Sequence, residues 1–536
     1  MKQHPLKKKI VSPGKIICLL MAMVLFTLSG NGSIAMAQPK TGGQAIVPLN
    51  GDPKLMCPII RSEVSSIFAS WPMFERLARA NPETMENIPE LATSWEYSKD
   101  LTSLVAHLRK GVTWHDGKEF TAGDVKFTFE TVMNPKTRTQ FRIQIADLKG
   151  VEVIDPYTVK FNLKSPSASF EAALQIPIIP KHLLEGKDVN TDEFNHKPVG
   201  TGPFKFKEWV PGDHATIVAY EKHWRRRPYL DRIVFKVLPD TNVRMAQLKT
   251  GEIDIMDGVE PLQLKELSKD PKLVAYRMVQ TNYYGLFWNI NKPPFNDIRV
   301  RKALNHAVDK KAIIDKVLLG EAIPAYSVFQ PPFKWAYTDD VLKLEYDPEK
   351  AKKLLAEAGW KDTDGDGILD KDGKPFRFTL TGDNASPTRR RNVMIAQQFF
   401  KSIGLDVKIQ FKEWHDFLEN YQWNPNKEMT FLWNAFNPPM DPDMLARRWH
   451  SKSGPRPNQT RYSNPKVDEL FARGKATLDR KERAKIYHEM QRIIANDVPM
   501  ILFYYPIEIA VANKRLKGIQ PSPWRVYHNM EEWYIQ

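Results

Sequence analysis

The chain has 536 residues, 42% of them hydrophobic and 26% charged, with a formal net charge of +15. That length suffices for roughly three or four domains with deep apolar cores and excludes a small scaffold held together by disulfides or metal. The 40 prolines are dispersed, and the balance of apolar to charged residues excludes a wholly disordered chain.

In chain order, Lys2, Lys7, Lys8, Lys9 and Lys15 precede the apolar run IICLLMAMVLFTL, residues 16–28, and small residues follow up to Ala35-Met36-Ala37. This is the pattern of a secretory signal peptide. The run is too short for a bilayer-spanning helix, which takes about 20 residues. Cys18 lies inside the run rather than just after it, so no lipid-bearing cysteine is expected. Residues 1–37 are therefore expected to be removed after Ala37, leaving a soluble exported, periplasmic chain. The leader takes five lysines and no acids with it, so the charge falls to +10. The remaining basic runs, Arg225-Arg226-Arg227 and Arg389-Arg390-Arg391, read as solvated faces, and no nucleic-acid partner is expected. The mature chain keeps one cysteine, Cys57, so no internal disulfide can form.

The segment GVTWHDGKEFTAGDVKFTFE, 111–130, brings a histidine beside an aspartate. Asp-Gly at 116–117 has turn chemistry between two extended pieces. Thr121 and Asp124 have the spacing of a capping box, and Val125, Phe129 and Val132 share one helical face behind it. The segment therefore reads as architecture, with no third group at local spacing to orient His115 and Asp116 for catalysis.

Strand patterns follow at Val151–Ile154, Thr158–Leu163, Ile233–Leu238, Phe376–Thr381 and Val407–Phe411. Helices alternate with them: Val300, Ala303, Leu304, Ala307 and Val308 form a stripe, Asp309 can cap a second helix, and Asp347-Pro348 opens a helix predicted to reach Ala358. This alternation is that of a mixed α/β protein. The loop 362–373 puts Asp362, Asp364, Asp366 and Asp370 at positions 1, 3, 5 and 9 of a calcium-type loop. Gly373 stands where such a loop has its bidentate glutamate, so the match is partial and no metal is assigned. His306 reads as packed or solvated on its helix. No phosphate-binding GxxxxGK[ST], HExxH, CxxC or GxSxG occurs, so neither a cofactor nor catalysis is expected.

The runs LATSWEYSKDLTSLVAHLRKGVTWHDGKEFTAGDVKFTFE, PVGTGPFKFKEWVPG with EKHW, KTGEIDI and PPFNDIRVRKALNHAVDKKAI resemble the bacterial family 5 extracytoplasmic solute-binding proteins. That family includes the dipeptide- and oligopeptide-binding components of ABC importers. The resemblance implies a type II periplasmic-binding-protein fold, with two lobes built from three domains and joined by a hinge. Domain I would comprise residues 38–75, 186–287 and 500–536, domain II residues 76–185, and domain III residues 288–499. It also implies a monomer that closes on a small solute and docks on a membrane permease with its ATPase.

Peptide-binding members hold the ligand's amine with an aspartate shortly after a tryptophan, in a W-x-x-D segment followed by D-P. Here FLWNAFNPPMDPDML supplies Trp433 and Asp441-Pro442-Asp443, but Phe436 occupies the carboxylate position. Either Asp441 moves in to hold an ammonium, or the solute lacks one. The aromatic residues Tyr283, Tyr284, Phe287, Trp288, Trp414, Phe431, Trp433 and Phe436 are expected near the cleft, about half of them as core. Tyr283, Trp288, Trp414, Trp433, Phe436 and Asp441 are the candidate contacts. A peptide is the expected cargo, with an oligosaccharide or opine-like compound as the alternative and a secreted hydrolase behind both.

Overall fold

The computed structural model describes residues 39–536, apart from Arg61, Ala385, Trp423, 425–427, 435–440, Pro455 and Arg525; of 432–434 only the backbone is described. Three larger sheets organise the chain. The first runs in the order Gln44–Leu49, Arg232–Val237, His214–Ala219, Phe204–Val210, with its first pair parallel. The second contains Ala92–Tyr97, Ser103–Leu108, Thr158–Leu163 and Leu148–Asp155, all antiparallel. The third runs Ile255–Met256, Met500–Asn513, Tyr283–Trp288, Met429–Asn434, Arg377–Asp383, Asp406–Lys412. Each strand expected from sequence is present to within a few residues, and the mixed α/β class holds.

One strand ties the halves of the molecule together. Met500–Asn513 is 14 residues long and pairs with Tyr283–Trp288 through its first part and with Leu273–Val279 through its last. Its side chains enter different cores. Ile501, Phe503 and Tyr504 pack with Leu286, Leu304, Phe378 and Phe400, whereas Ala510 and Ala512 pack with Val47, Phe161 and Phe235. A strand that leaves one apolar core and enters another must cross the gap between them, and here the gap lies opposite Gln280–Asn282. The Gln280 amide donates to Pro506 O at 3.1 Å, so the partner strand crosses at the same level.

The caps form as their residues require. Thr121 and Asp124 make the capping box of the helix Ala122–Met133, with the Thr121 amide donating to Asp124 at 2.9 Å. Asp347 accepts from the Lys350 amide at 2.9 Å and starts Pro348–Glu357, and Asp309 accepts from the Ala312 amide at 2.8 Å to start Lys310–Val317. These carboxylates satisfy amide donors that a helix start leaves free.

The His115 segment is architecture. Gly117 takes a left-handed φ of 87° in the turn. His115 Nδ1 accepts from the Gly200 amide at 3.1 Å, and its Nε2 meets Gly202 O at 2.9 Å. A backbone amide can only donate, so Nδ1 is unprotonated and Nε2 carries the proton. The two glycines are required: a Cβ on Gly200 would lie 1.7 Å from Met73 O, and one on Gly202 would lie 2.5 Å from Pro72 O. Asp116 turns the other way, to His182 at 2.7 Å.

The basic run at 225–227 is not a solvated face. Arg225 pairs with Glu531 at 3.7 Å, Arg226 with Glu532 at 2.5 Å and Arg227 with Glu221 at 2.9 Å, so two of the three hold the C-terminal segment. Cys57 is 2% exposed in the core, where burial pushes its thiol up to about 12, the state of an inert structural cysteine. No helix among the described residues is long and apolar enough to cross a membrane.

Candidate functional site

A cavity of about 170 Å³ lies against the crossing strands. Its wall is assembled from Ile60, the helix Val64–Ser70, Trp71, Phe141, the crossing Gln280–Asn282 and Trp524. Two of its polar groups are notable. Asn282 is 5% exposed and Trp524 is 8% exposed, and neither Asn282 Oδ1 nor Trp524 Nε1 has a hydrogen-bond partner among the described residues. A buried polar atom without a partner costs about 1–3 kcal/mol, so an unpartnered acceptor and donor on two residues of the cavity wall suit a bound guest.

Trp71 also packs, half-buried, against a second apolar group. That group joins Ala80, Met85 and Trp524 to Tyr283, Phe287, Phe417, Leu445 and Trp449, with Trp414, Leu418 and Tyr421 half-buried at its margin. Aromatic surfaces from segments far apart in the chain thus meet beside the cavity. Ion pairs also join distant stretches of the chain: Glu86 pairs with Arg480, and Asp147 with Lys475 at 2.7 Å.

The sequence candidates separate into three groups. Tyr283 and Trp414 reach this region. Tyr283 is 1% exposed and stacks on Phe287 at 6.4 Å, while Trp414 stacks on Phe417 at 6.3 Å with the Arg389 guanidinium 5.1 Å from its ring centroid.

Trp288 corrects the expectation: it is fully buried, stacked on Phe295 at 5.4 Å inside the core of Leu286, Leu304 and Phe378. The reason is strand parity. Side chains alternate along Tyr283–Trp288, so odd positions Tyr283 and Phe287 face the aromatic group, and even positions Leu286 and Trp288 face the other core. Residues five apart on a strand cannot share a face.

Asp441 is committed elsewhere. Its carboxylate caps Pro442–Ala446 by accepting from the Asp443 amide at 3.0 Å, and it forms a forked pair with Arg483 at 2.7 and 3.0 Å. Arg483 also donates to Gly474 O at 3.0 Å and to Tyr487 OH at 2.8 Å, and Tyr487 donates in turn to Asp443. Burial pushes the Asp443 carboxyl up to about 6, against the pull of Arg483. Trp433 lies in the strand Met429–Asn434, its backbone opposite Tyr284, but its side chain is outside the described residues, as is the whole of Phe436.

The acidic loop brings Asp362, Asp364 and Asp366 within 4.8 Å of one another, all exposed. Both Asp362 oxygens already accept, from Gly365 and Gly367 amides at 2.8 and 3.0 Å, and Asp370 accepts from the Thr363 amide at 2.8 Å. Trp71, Gln280–Asn282 and Trp524 were not anticipated. They come from three separate stretches of chain, none of which carries a local periodicity that marks it.

Known proteins resemble the chain over most of its length. The model of the bacterial extracellular solute-binding proteins, family 5, matches residues 86–455. The oligopeptide-binding protein AppA of Bacillus subtilis is 34% identical, with 97% of this chain and 98% of that protein covered. Its structure in complex with a nonapeptide aligns at a TM-score of 0.77 over 93% of this chain and all of the other. The dipeptide-binding protein of Escherichia coli is 30% identical over 86% of this chain and 88% of its own length. The Helicobacter pylori periplasmic binding protein DppA, in complex with the peptide STSA, aligns at a TM-score of 0.76 with 28% identity, covering 92% and 98% of the two chains.

Proposed function

Since the chain belongs to family 5 of the bacterial extracellular solute-binding proteins, we propose that it captures a peptide or peptide-like solute by lobe closure and delivers it to an ABC permease and its ATPase in the inner membrane. The observation that carries this reading is the cavity beside the strand crossing, with its unpartnered Asn282 Oδ1 and Trp524 Nε1. Mostly apolar walls with a few polar groups are what a small-molecule site needs. The peptide-binding relatives support a peptide as the guest. No step in this cycle makes or breaks a covalent bond in the solute.

We read Gln280–Asn282 and the facing Tyr505-Pro506 as the hinge, because they lie where the paired strands pass from one core to the other. The domain partition at 38–75, 76–185, 186–287, 288–499 and 500–536 is kept as part of this proposal. The cavity is lined by residues outside 288–499, and a ligand that also meets groups of 288–499 would favour the closed form by its differential affinity. Asp441, held by Arg483, leaves the amine end of a solute without a carboxylate from residues 433–441, which carry no other acid. The protein would act as a periplasmic monomer, released after Ala37. Calorimetric titration of the purified mature chain with mixed di- to pentapeptides, alongside small-angle scattering, tests the reading. Saturable binding with a contraction in radius of gyration is expected. Binding without contraction would remove lobe closure, and turnover of the peptide would replace capture by hydrolysis.

A further inference from the structure

The cavity at the crossing abuts a second one of about 60 Å³, and Trp71, Phe74, Arg76, Gln175 and Trp524 line both. Arg76 is the cation in that shared wall. Its backbone is fixed: the amide donates to Glu90 Oε2 at 2.8 Å, and its carbonyl accepts from the Leu91 amide at 2.9 Å. Its guanidinium lies 5.0 Å from the centroid of the Trp71 ring, a contact that orients the plane without using any N–H. Among the described residues the guanidinium makes no side-chain hydrogen bond or ion pair, and its charged neighbours are Glu90, Glu75, Arg79 and Glu531. The nearby acids are otherwise occupied, since Glu75 accepts from Trp224 Nε1 at 2.8 and 3.0 Å and approaches His223 at 3.1 Å. Glu531 faces Arg79 at 3.2 Å.

The contrast with four neighbouring arginines is the informative point. Arg79, Arg225, Arg226 and Arg227 each have a carboxylate partner, whereas Arg76 presents its N–H groups to a cavity. A planar fork of donors matches a carboxylate, which it can hold by two parallel hydrogen bonds. Glu75 and Glu90 lie close enough to offset part of the positive charge, which favours a monoanion over a phosphate dianion that would face both acids.

We propose that Arg76 binds a carboxylate of the solute, so that the site selects guests bearing a free carboxylate next to an apolar group that rests on Trp71 and Trp524. This inference rests on the reading of the cavity as the solute site and adds its chemical selectivity. It assigns the decisive cation to the short stretch between the helix Val64–Ser70 and the strand Ala78–Ala80.

The test compares wild type, Arg76→Gln and Arg76→Lys for retention of random tripeptides, supplied once as free acids and once as C-terminal amides, by equilibrium dialysis and mass spectrometry. Melting temperatures of the ligand-free proteins confirm that the variants fold. Wild type should retain free acids at least tenfold better than amides. Arg76→Gln should lose that preference through weaker acid binding, and Arg76→Lys should restore part of it. Amides retained only when they contain Asp or Glu, and only by wild type, would place a side-chain carboxylate at Arg76 and equally support the proposal. Equal binding of acids by wild type and folded Arg76→Gln would overturn it while leaving peptide capture intact. Should wild type retain no tripeptide, the peptide reading fails alone, and a parallel arm with aryl and alkyl monocarboxylic acids decides: retention lost in Arg76→Gln supports the role of Arg76, and any other result rejects it.

Discussion

His115 offers the sharpest test of physical reasoning about this chain, because its role as a structural clamp carries a pH signature. The ring is neutral, with Nδ1 accepting from the Gly200 amide and Nε2–H donating to Gly202 O. Burial pushes its titration from the usual 6.5 down to about 4. Unfolded chain therefore binds more protons than folded chain between those values, so stability rises with pH across the window. The His115 contribution is complete above about pH 6.5 and is lost as pH falls towards 4. At 1.36 kcal/mol per pH unit the full displacement is about 3 kcal/mol, and partial exposure of the ring reduces this to about 2 kcal/mol. His115→Ala also leaves the Gly200 amide and Gly202 carbonyl without their partner, at about 1–3 kcal/mol each if no water replaces the ring. The variant should lose about 2–4 kcal/mol at pH 7.5, read from urea unfolding followed by tryptophan fluorescence. That deficit should shrink by about 2 kcal/mol at pH 4.5, because only wild type pays the protonation cost there. A deficit constant across this range would refute the account. So would a variant of wild-type stability that fails to bind solute, which would make His115 a binding group.

Trp414→Ala should weaken solute binding by about tenfold with little change in melting temperature, whereas Trp288→Ala should cost about 3–5 kcal/mol of stability in a thermal melt, since it empties a closed core. The opposite pattern would reverse the strand parity assigned above. Arg483→Met removes the only cation paired with Asp441 among the described residues and leaves Asp443 buried; a loss of about 3–5 kcal/mol is expected, and a melt within a degree of wild type would show the network to be dispensable. Lys475→Ala breaks a partly exposed pair with Asp147 worth about 0.5–1 kcal/mol. If that pair favours closure, affinity falls up to about fivefold and salt reproduces the effect; unchanged affinity at low salt would show that it does not. Calcium at millimolar concentration should leave the melting temperature unchanged, because Asp362 and Asp370 already serve amide donors and position 12 of the loop lacks its carboxylate; a rise reversed by chelator would show a functional ion site.

Much of the local structure was legible in the residues themselves. Caps such as Thr121 with Asp124, Asp309 and Asp347 depend on groups within one turn of each other, so spacing alone specifies them. The turn at Asp116-Gly117 is local in the same sense. The alternation of Tyr283–Trp288 is legible too, yet which face meets which core is not, and Trp288 lies in the core rather than the cleft for that reason. The arginines of 225–227 looked solvated because their partners lie about 300 residues away in the chain.

The sequence by itself determined the mixed α/β class, the caps and turns, and, through motifs spread over most of its length, the family. Tertiary structure alone assembled the proposed site. Arg76, Gln280–Asn282 and Trp524 come together only when the strand Met500–Asn513 spans two cores and brings the two ends of the chain beside its middle. Such convergence leaves no mark on local periodicity, because hydrophobic spacing records which face of an element is buried and is silent about what it is buried against.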